Sequence, residues 1–338
     1  MENVLVQEYR ADMVECAHNG HICIVNEEGA IQAYTGDPGF VAFTRSSAKP
    51  LQAIPAIRGG MAEFYGLTDE EIAIMVASHR GEPRHIEVLQ QFARKVNIRE
   101  DLMVCAPSWP LDDASKESLL RTDGDRSRWY HNCSGKHYGM LAYCQMAGLP
   151  LSGYDQPDHP LQQEILRTIA DLAGLAQGDI RTGTDGCGLP VFAMPLQALA
   201  TAYMKLACPD RIKDEATREA VLTITSAMNA SPFMVAGSGK VDTVLLEDSN
   251  IVAKGGFKGV YCFGLKKEKL GVAFKIVDGS EEEWGWIAKS ILEQIGYANK
   301  ETISRLAQAF PTDILNDSGR KVGRAETVFK LGHGPSPN

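Results

Sequence analysis

The apolar residues of this chain are spaced for strands near both ends and for helices between them, and this change of period constrains its fold most. Residues 21–36 (HICIVNEEGAIQAYTG) predict two short strands around a turn at residues 26–29. Residues 40–47 continue extended, and a helix is expected from about Ser46, with Pro50 tolerated in its first turn. From residue 240 onwards VDTVLLED, IVAKGG, GVYCFGLKK and LGVAFKIVDG predict successive antiparallel strands, a meander over about residues 240–278. A helix, SEEEWGWIAKSILEQIG, and a last strand near ETVFKL follow. The middle, about residues 46–230, reads as helical. LTDEEIAIM opens with Thr68 and Glu71 at capping-box spacing. IEVLQQFARKV, CSGKHYGMLAYCQMAG, HPLQQEILRTIADLAG, LQALATAYMKLA and DEATREAVLTITSAMNA repeat their apolar residues near every 3.6 positions. TGTDGCGLP is a Gly-rich turn among them. Together these elements imply an α/β unit whose antiparallel sheet is built from N- and C-terminal strands, with helices packed around it. No linker or repeat divides residues 1–338, so one unit is expected.

A chain of 338 residues with 44% hydrophobic composition can bury a large core. Its 34 Lys and Arg against 43 Asp and Glu leave a net charge of -9, which argues against nucleic acid as a partner. The N-terminus has no basic region followed by an apolar run, so it does not read as a signal peptide. No apolar stretch approaches the roughly 18 residues of a membrane helix, so no membrane partner is expected. Eight dispersed cysteines in a chain this long suit a reduced, cytoplasmic setting better than a disulfide framework.

Residues 44–56 (TRSSAKPLQAIPA) place Ser46 three positions before Lys49, on one face of the expected helix. A lysine desolvated near a helix N-terminus loses basicity, and its neutral amine can take a proton from serine. The same spacing also suits an ordinary entrance, with Ser46 as N-cap and Lys49 solvated. Ser318 and Lys321 share the spacing in a bare tail. VASHRGEP sets Ser78 and His79 where a helix enters a loop, for function or as a histidine favoured by the helix dipole. HNCSGKHYGM gathers Asn132, Cys133, Ser134, Lys136 and His137, and DGCG adds Asp185 and Cys187. The two cysteines could give thiolates to a zinc ion with a nitrogen as third ligand, or be buried free thiols. Lys254 precedes two glycines at a strand end, near a ligand or solvated beside a hairpin. AGSGKVD and CSGKH lack the first glycine and the Ser/Thr of a phosphate loop, which excludes nucleotide binding by that route.

Taken together, FTRSSAKPLQ, ASHRGEPRH, NCSGKHYGMLAYC, YDQPDHPLQ, TDGCGLPVFAMPL and AKGGFKGVY resemble, in order, the L-asparaginase II family of the thermolabile, rhizobial type. The resemblance implies a fold similar to serine β-lactamases and penicillin-binding proteins, and hydrolysis of L-asparagine to aspartate and ammonia (EC 3.5.1.1). It implies Ser46 as nucleophile with Lys49 as its base, and a second pair of Ser78 and Lys254. Arg45, His137 and Asp185 would hold substrate, Arg45 its carboxylate and Asp185 its ammonium. Cys133, Lys136 and Cys187 would bind zinc, and the protein would be a homodimer. The chain departs from the family in carrying Phe257-Lys258 where Ala-Glu is usual and Ser108 where His is common. Those departures keep two other readings open: a serine amidohydrolase of glutamine or another small amide, and a silent amino-acid or zinc sensor.

Overall fold

The computed structural model describes residues 3–334; residues 1–2 and 335–338 of the expected single unit lie outside the described residues. Its strands are β1 (Val4–Arg10), β2 (Met13–Val25), β3 (Ile31–Thr35), β4 (Val41–Phe43), β5 (Arg181–Thr184), β6 (Pro190–Pro195), β7 (Ile251–Gly255), β8 (Val260–Leu265), β9 (Leu270–Ile276), β10 (Asp313–Leu315), β11 (Lys321–Thr327) and β12 (Gly332–His333). Its helices are α1 (Lys49–Arg58), α2 (Met61–Tyr65), α3 (Asp69–Met75), α4 (Pro83–Val96), α5 (Asp113–Arg121), α6 (Ser134–Ala147), α7 (Pro160–Ala173), α8 (Leu196–Ala207), α9 (Glu215–Ala230), α10 (Pro232–Ala236), α11 (Val241–Leu246), α12 (Trp284–Gln294) and α13 (Lys300–Ala309).

Nine strands from both ends of the chain form one antiparallel sheet in the order β10-β11-β1-β2-β9-β8-β7, with β3 joined to β2 and β12 to β3. The first half of β2 pairs with β1, and its second half lies between β3 and β9. Strands β7 to β9 are buried almost throughout, which accounts for their near-continuous apolar runs. Alternation along β8 aims Gly264 at α8, where a Cβ would lie 2.4 Å from Tyr203 O. It aims Tyr261 the other way, onto Trp284 of α12, ring centroids 5.1 Å apart. Lys254 pairs with Cys262 across β7 and β8, so it shares the α8 face. The α/β class and the antiparallel sheet expected from the sequence are therefore present. No helix among the described residues is long and apolar enough to cross a membrane.

Three expectations need correction. VDTVLLED is a helix: Val241, Val244 and Leu245 are buried at helical spacing, and Thr243 Oγ1 donates to Gly237 O at 2.7 Å. The meander after residue 240 therefore has three strands. Residues 181–195 make a hairpin, β5 and β6, which β4 extends into a separate three-stranded sheet within the middle expected to be helical. The strand expected near ETVFKL lies earlier, at Lys321–Thr327, because it pairs in register with β1 from Val6 opposite Thr327 to Arg10 opposite Gly323, and the short β12 follows at Gly332–His333.

The capping box at Thr68 and Glu71 forms in full, and Pro50 sits in the first turn of α1. Helix α6 is buried along Ser134–Cys144, so its polar residues are held inside the protein. Gly135 permits this: a Cβ there would meet Ile74 O at 2.0 Å, so only glycine lets α6 cross α3 this closely.

Candidate active site

Ser46 stands in a 3-10 turn (Arg45–Ala48) that leads from β4 into α1. The turn is pinned from three sides. Thr44 N–H donates to Phe192 O on β6 at 2.8 Å, Ser47 Oγ donates to Thr44 O at 2.6 Å, and Tyr203 OH of α8 donates to Ser47 O at 2.7 Å. Gly256 completes the packing, since a Cβ there would lie 3.0 Å from Thr44 O. Arg45 adopts φ of 51°, a left-handed backbone that costs a non-glycine residue roughly 1–2 kcal/mol. Ser46 Oγ has no hydrogen-bond partner among the described residues and lines a cavity of about 690 Å³. The N-cap position belongs to Thr44, without a side-chain cap bond, so the ordinary-entrance reading of Ser46 does not hold.

Lys49 is 1% exposed. Its Nζ donates to Ala77 O, to Ser78 Oγ at 3.1 Å and to Asn132 O at 3.4 Å. Burial pushes its pKa down to about 8; the neighbouring Lys136 and Lys254 charges act the same way, against the opposing pull of Cys133. Ser78, anchored by its N–H on Val235 O at 2.8 Å, also lines the cavity. Lys254 is buried beside the same cavity, but its Nζ is engaged elsewhere. It donates to Asp242 Oδ2 at 2.6 Å and to Gly255 O at 2.9 Å, while Asp242 Oδ1 accepts from Gly255 N at 2.8 Å. The hydrogen bond expected between Ser78 and Lys254 is thus replaced by one between Ser78 and Lys49. Asp242 was not singled out in the sequence, because a strand reading of its helix gave it no reason to face β7.

The remaining candidates fall into two layers. Arg45 and Asp185 meet on the cavity wall, 2.7 Å apart, and the Arg45 guanidinium also lies 5.2 Å from the Phe257 ring centre. Cys133 and Cys187 line the same wall, with Lys136 Nζ behind them donating to Cys187 Sγ at 3.3 Å. A hydrogen bond from Cys187, reinforced by the Lys49 and Lys136 charges, holds Cys133 well below the usual thiol range despite burial, while Cys187 is held above it. Burial alone would lower Lys136, but the two sulfurs and Asp185 outweigh it and raise the ammonium. His137 is behind the wall, with Nδ1 bonded to Tyr154 OH at 2.6 Å and Nε2 without a partner. Burial keeps it neutral.

His79 is buried and neutral as well, which removes the helix-dipole reading. Its Nδ1 accepts from Gly81 N at 3.1 Å, so Nε2–H donates to Ser134 Oγ at 2.8 Å and braces the first turn of α6. Ser108 also lies on the cavity wall. Two hydroxyls, one of them bonded to a low-pKa amine, a facing ion pair and a thiol–lysine cluster thus open onto one cavity. That set can support nucleophilic attack on a carbonyl with proton transfer.

The sequence model of the family described as L-asparaginase II matches residues 6–327 of the chain. No curated protein is significantly similar to it in sequence. Among solved structures, a β-lactamase from Mycobacterium bovis is 12% identical, with 81% of this chain and 94% of that chain covered and a TM-score of 0.36. Mglu in its tris and glutamate form is 16% identical, with 92% of this chain and 63% of that chain covered and a TM-score of 0.35. Scores this low carry no argument about the site.

The Asp242–Lys254 pair is almost fully buried, so removing one partner leaves a stranded charge. Asp242→Ala is expected to lower stability by about 3–5 kcal/mol in urea unfolding. The double variant Asp242→Ala/Lys254→Met is expected to recover most of that loss. A single variant unfolding at the wild-type midpoint would refute the pairing.

Proposed function

Because the chain belongs to the L-asparaginase II family, we propose that it is an L-asparagine amidohydrolase that releases L-aspartate and ammonia through a serine acyl-enzyme. The observation that carries the reading is the buried amine of Lys49, lowered to about 8 and bonded to Ser78, which lines the same cavity as the unpartnered Ser46 hydroxyl. Expelling ammonia from an unactivated amide requires a nucleophile, a base and a proton for the leaving group.

In this reading Ser46 Oγ attacks the side-chain carbonyl as its proton passes to neutral Lys49. The Ser46 backbone N–H can stabilise the oxyanion, a donor of this kind contributing roughly 10²–10³ in rate. Ser78, already bonded to Lys49, carries the proton from Lys49 to the departing amine. The nitrogen leaves as ammonia and Ser46 holds a β-aspartyl ester, which water cleaves with Lys49 again as base. Lys254, tied to Asp242, contributes charge that keeps Lys49 neutral.

The zwitterionic substrate opens the Arg45–Asp185 pair, its carboxylate going to Arg45 and its ammonium to Asp185, so neither charge is left unmatched. Cys133, Cys187 and Lys136 would hold zinc: two sulfurs and an amine converge there, and the neighbouring thiol and lysine charges hold Cys133 below the usual thiol range. When bound, the ion would supply a fixed positive charge at the wall, and Lys136 would have to lose its proton to bind it. A homodimer and a cytoplasmic setting belong to the same reading.

Ammonia release from L-asparagine, with L-glutamine in parallel, tests the assignment. Ser46→Ala is expected to lose at least about 10³-fold in kcat, and Ser78→Ala about 10²-fold; normal turnover by folded Ser46→Ala would overturn the reading. Lys49 must be neutral to act as base, so kcat/KM is expected to rise with pH through about 8 and then level. A profile flat across that range would remove Lys49 from the role.

A further inference from the structure

We propose that Glu8, His18 and Glu283 form a binding site for a divalent transition-metal ion of the zinc class, separate from the catalytic cavity and its cysteines. Glu8 lies on β1 and His18 on β2. Val6 faces His18 across the hairpin, so Glu8, two residues on, is on the same side. Glu283 comes from the segment just before α12, and none of the three lines the cavity.

Their donor atoms converge. His18 Nε2 is 3.4 Å from Glu8 Oε1 and 3.2 Å from Glu283 Oε1, and the three ligand atoms lie within 4.8 Å of one another. Ligands at about 2.0–2.1 Å from a tetrahedral zinc ion are separated by about 3.4 Å. Close as they are, these contacts are not hydrogen bonds: His18 Nε2 has no partner, and neither does Glu283 Oε2. The Glu283 side chain is only 1% exposed, so an unsatisfied carboxylate oxygen here is expensive unless a cation occupies the site.

The surroundings orient the donors as a metal site requires. Asp278 Oδ2 is 2.8 Å from His18 Nδ1, which places the proton on Nδ1 and leaves the Nε2 lone pair facing the two glutamates. Ser280 braces both carboxylates, its Oγ donating to Glu283 Oε1 at 2.9 Å and its N–H to Asp278 Oδ1 at 2.8 Å. His18 and Glu8 are 14% and 21% exposed, enough for an ion to enter and for water to complete four ligands. An ion there would clamp the β1–β2 hairpin to the segment that presents Glu281 and Trp284 to the cavity.

Equilibrium dialysis with Zn²⁺ alone, and absorption of the Co²⁺-loaded protein, test the proposal with no dependence on activity. Wild type is expected to bind one ion more than Glu283→Gln or His18→Ala. Cys133→Ser/Cys187→Ser is expected to keep that ion, with cobalt ligand-field bands but no thiolate-to-cobalt band. Asp278→Asn is expected to bind it about 10- to 100-fold more weakly. Should Glu283→Gln fail to fold, Glu8→Gln at the half-exposed ligand gives the same comparison. Equal stoichiometry in wild type and the folded Glu8, His18 and Glu283 variants would overturn the site, as would loss of all metal from the double cysteine variant; His18 would then be simply an ion-paired histidine.

Discussion

The burial of the Lys49 ammonium group holds the site together. Its Nζ reaches a carbonyl after α3, a serine hydroxyl one residue on and a carbonyl before α6, so three segments distant in sequence meet at one nitrogen. Burying an unpaired charge costs several kcal/mol, and each nearby buried lysine meets that cost differently. Lys254 has a carboxylate at 2.6 Å, and Lys136 has sulfur. Lys49 has neutral oxygens and the Cys133 sulfur but no carboxylate, and burial outweighs the pull of that sulfur, so its pKa falls to about 8. Three lysines in one neighbourhood acquire different chemistry from their partners alone.

The cavity lining around Arg45 shows how the departures from the family pattern enter the site. Phe257 offers its ring to Arg45, and Lys258 Nζ lies 5.1 Å from the same ring centre. A cation over an aromatic face is worth about 0.5–1 kcal/mol at a site this open, a modest restraint on the residue assigned to the substrate carboxylate. Lys258 also takes a left-handed backbone, φ 58°, and its N–H donates to Glu281 at 2.9 Å. The substituted pair therefore alters the rim of the cavity and leaves the Ser46, Lys49 and Ser78 arrangement untouched.

Much of this was legible in the sequence. Ser46, Lys49, Ser78, Cys133 and Cys187 are legible because their residue types sit in motifs; Ser46, Ser78, Cys133 and Cys187 line one cavity, with Lys49 bonded to Ser78. The sheet was legible because its buried strands carry unbroken apolar runs. Other features were hidden for physical reasons. VDTVLL, with Val or Leu at four of its six positions, satisfies a strand or a buried helix equally, so α11 was misread and Asp242 lost with it. Strand β1 alternates weakly because only Leu5 and Val6 are fully buried. Glu8, His18 and Glu283 belong to no motif: β1–β2 pairing joins the first two, and tertiary packing of the segment before α12 brings the third. The Lys49–Ser78 bond depends on side-chain direction, which spacing does not encode.

In this mechanism Ser46 carries the acyl group while Ser78 relays the proton. Acid-quenching the protein during turnover of L-asparagine, followed by peptide mass mapping, tests it directly. One added aspartyl residue is expected on the peptide containing Ser46 and none on that containing Ser78. An aspartyl group on Ser78, or a reaction that proceeds with no acylated serine at all, would contradict it.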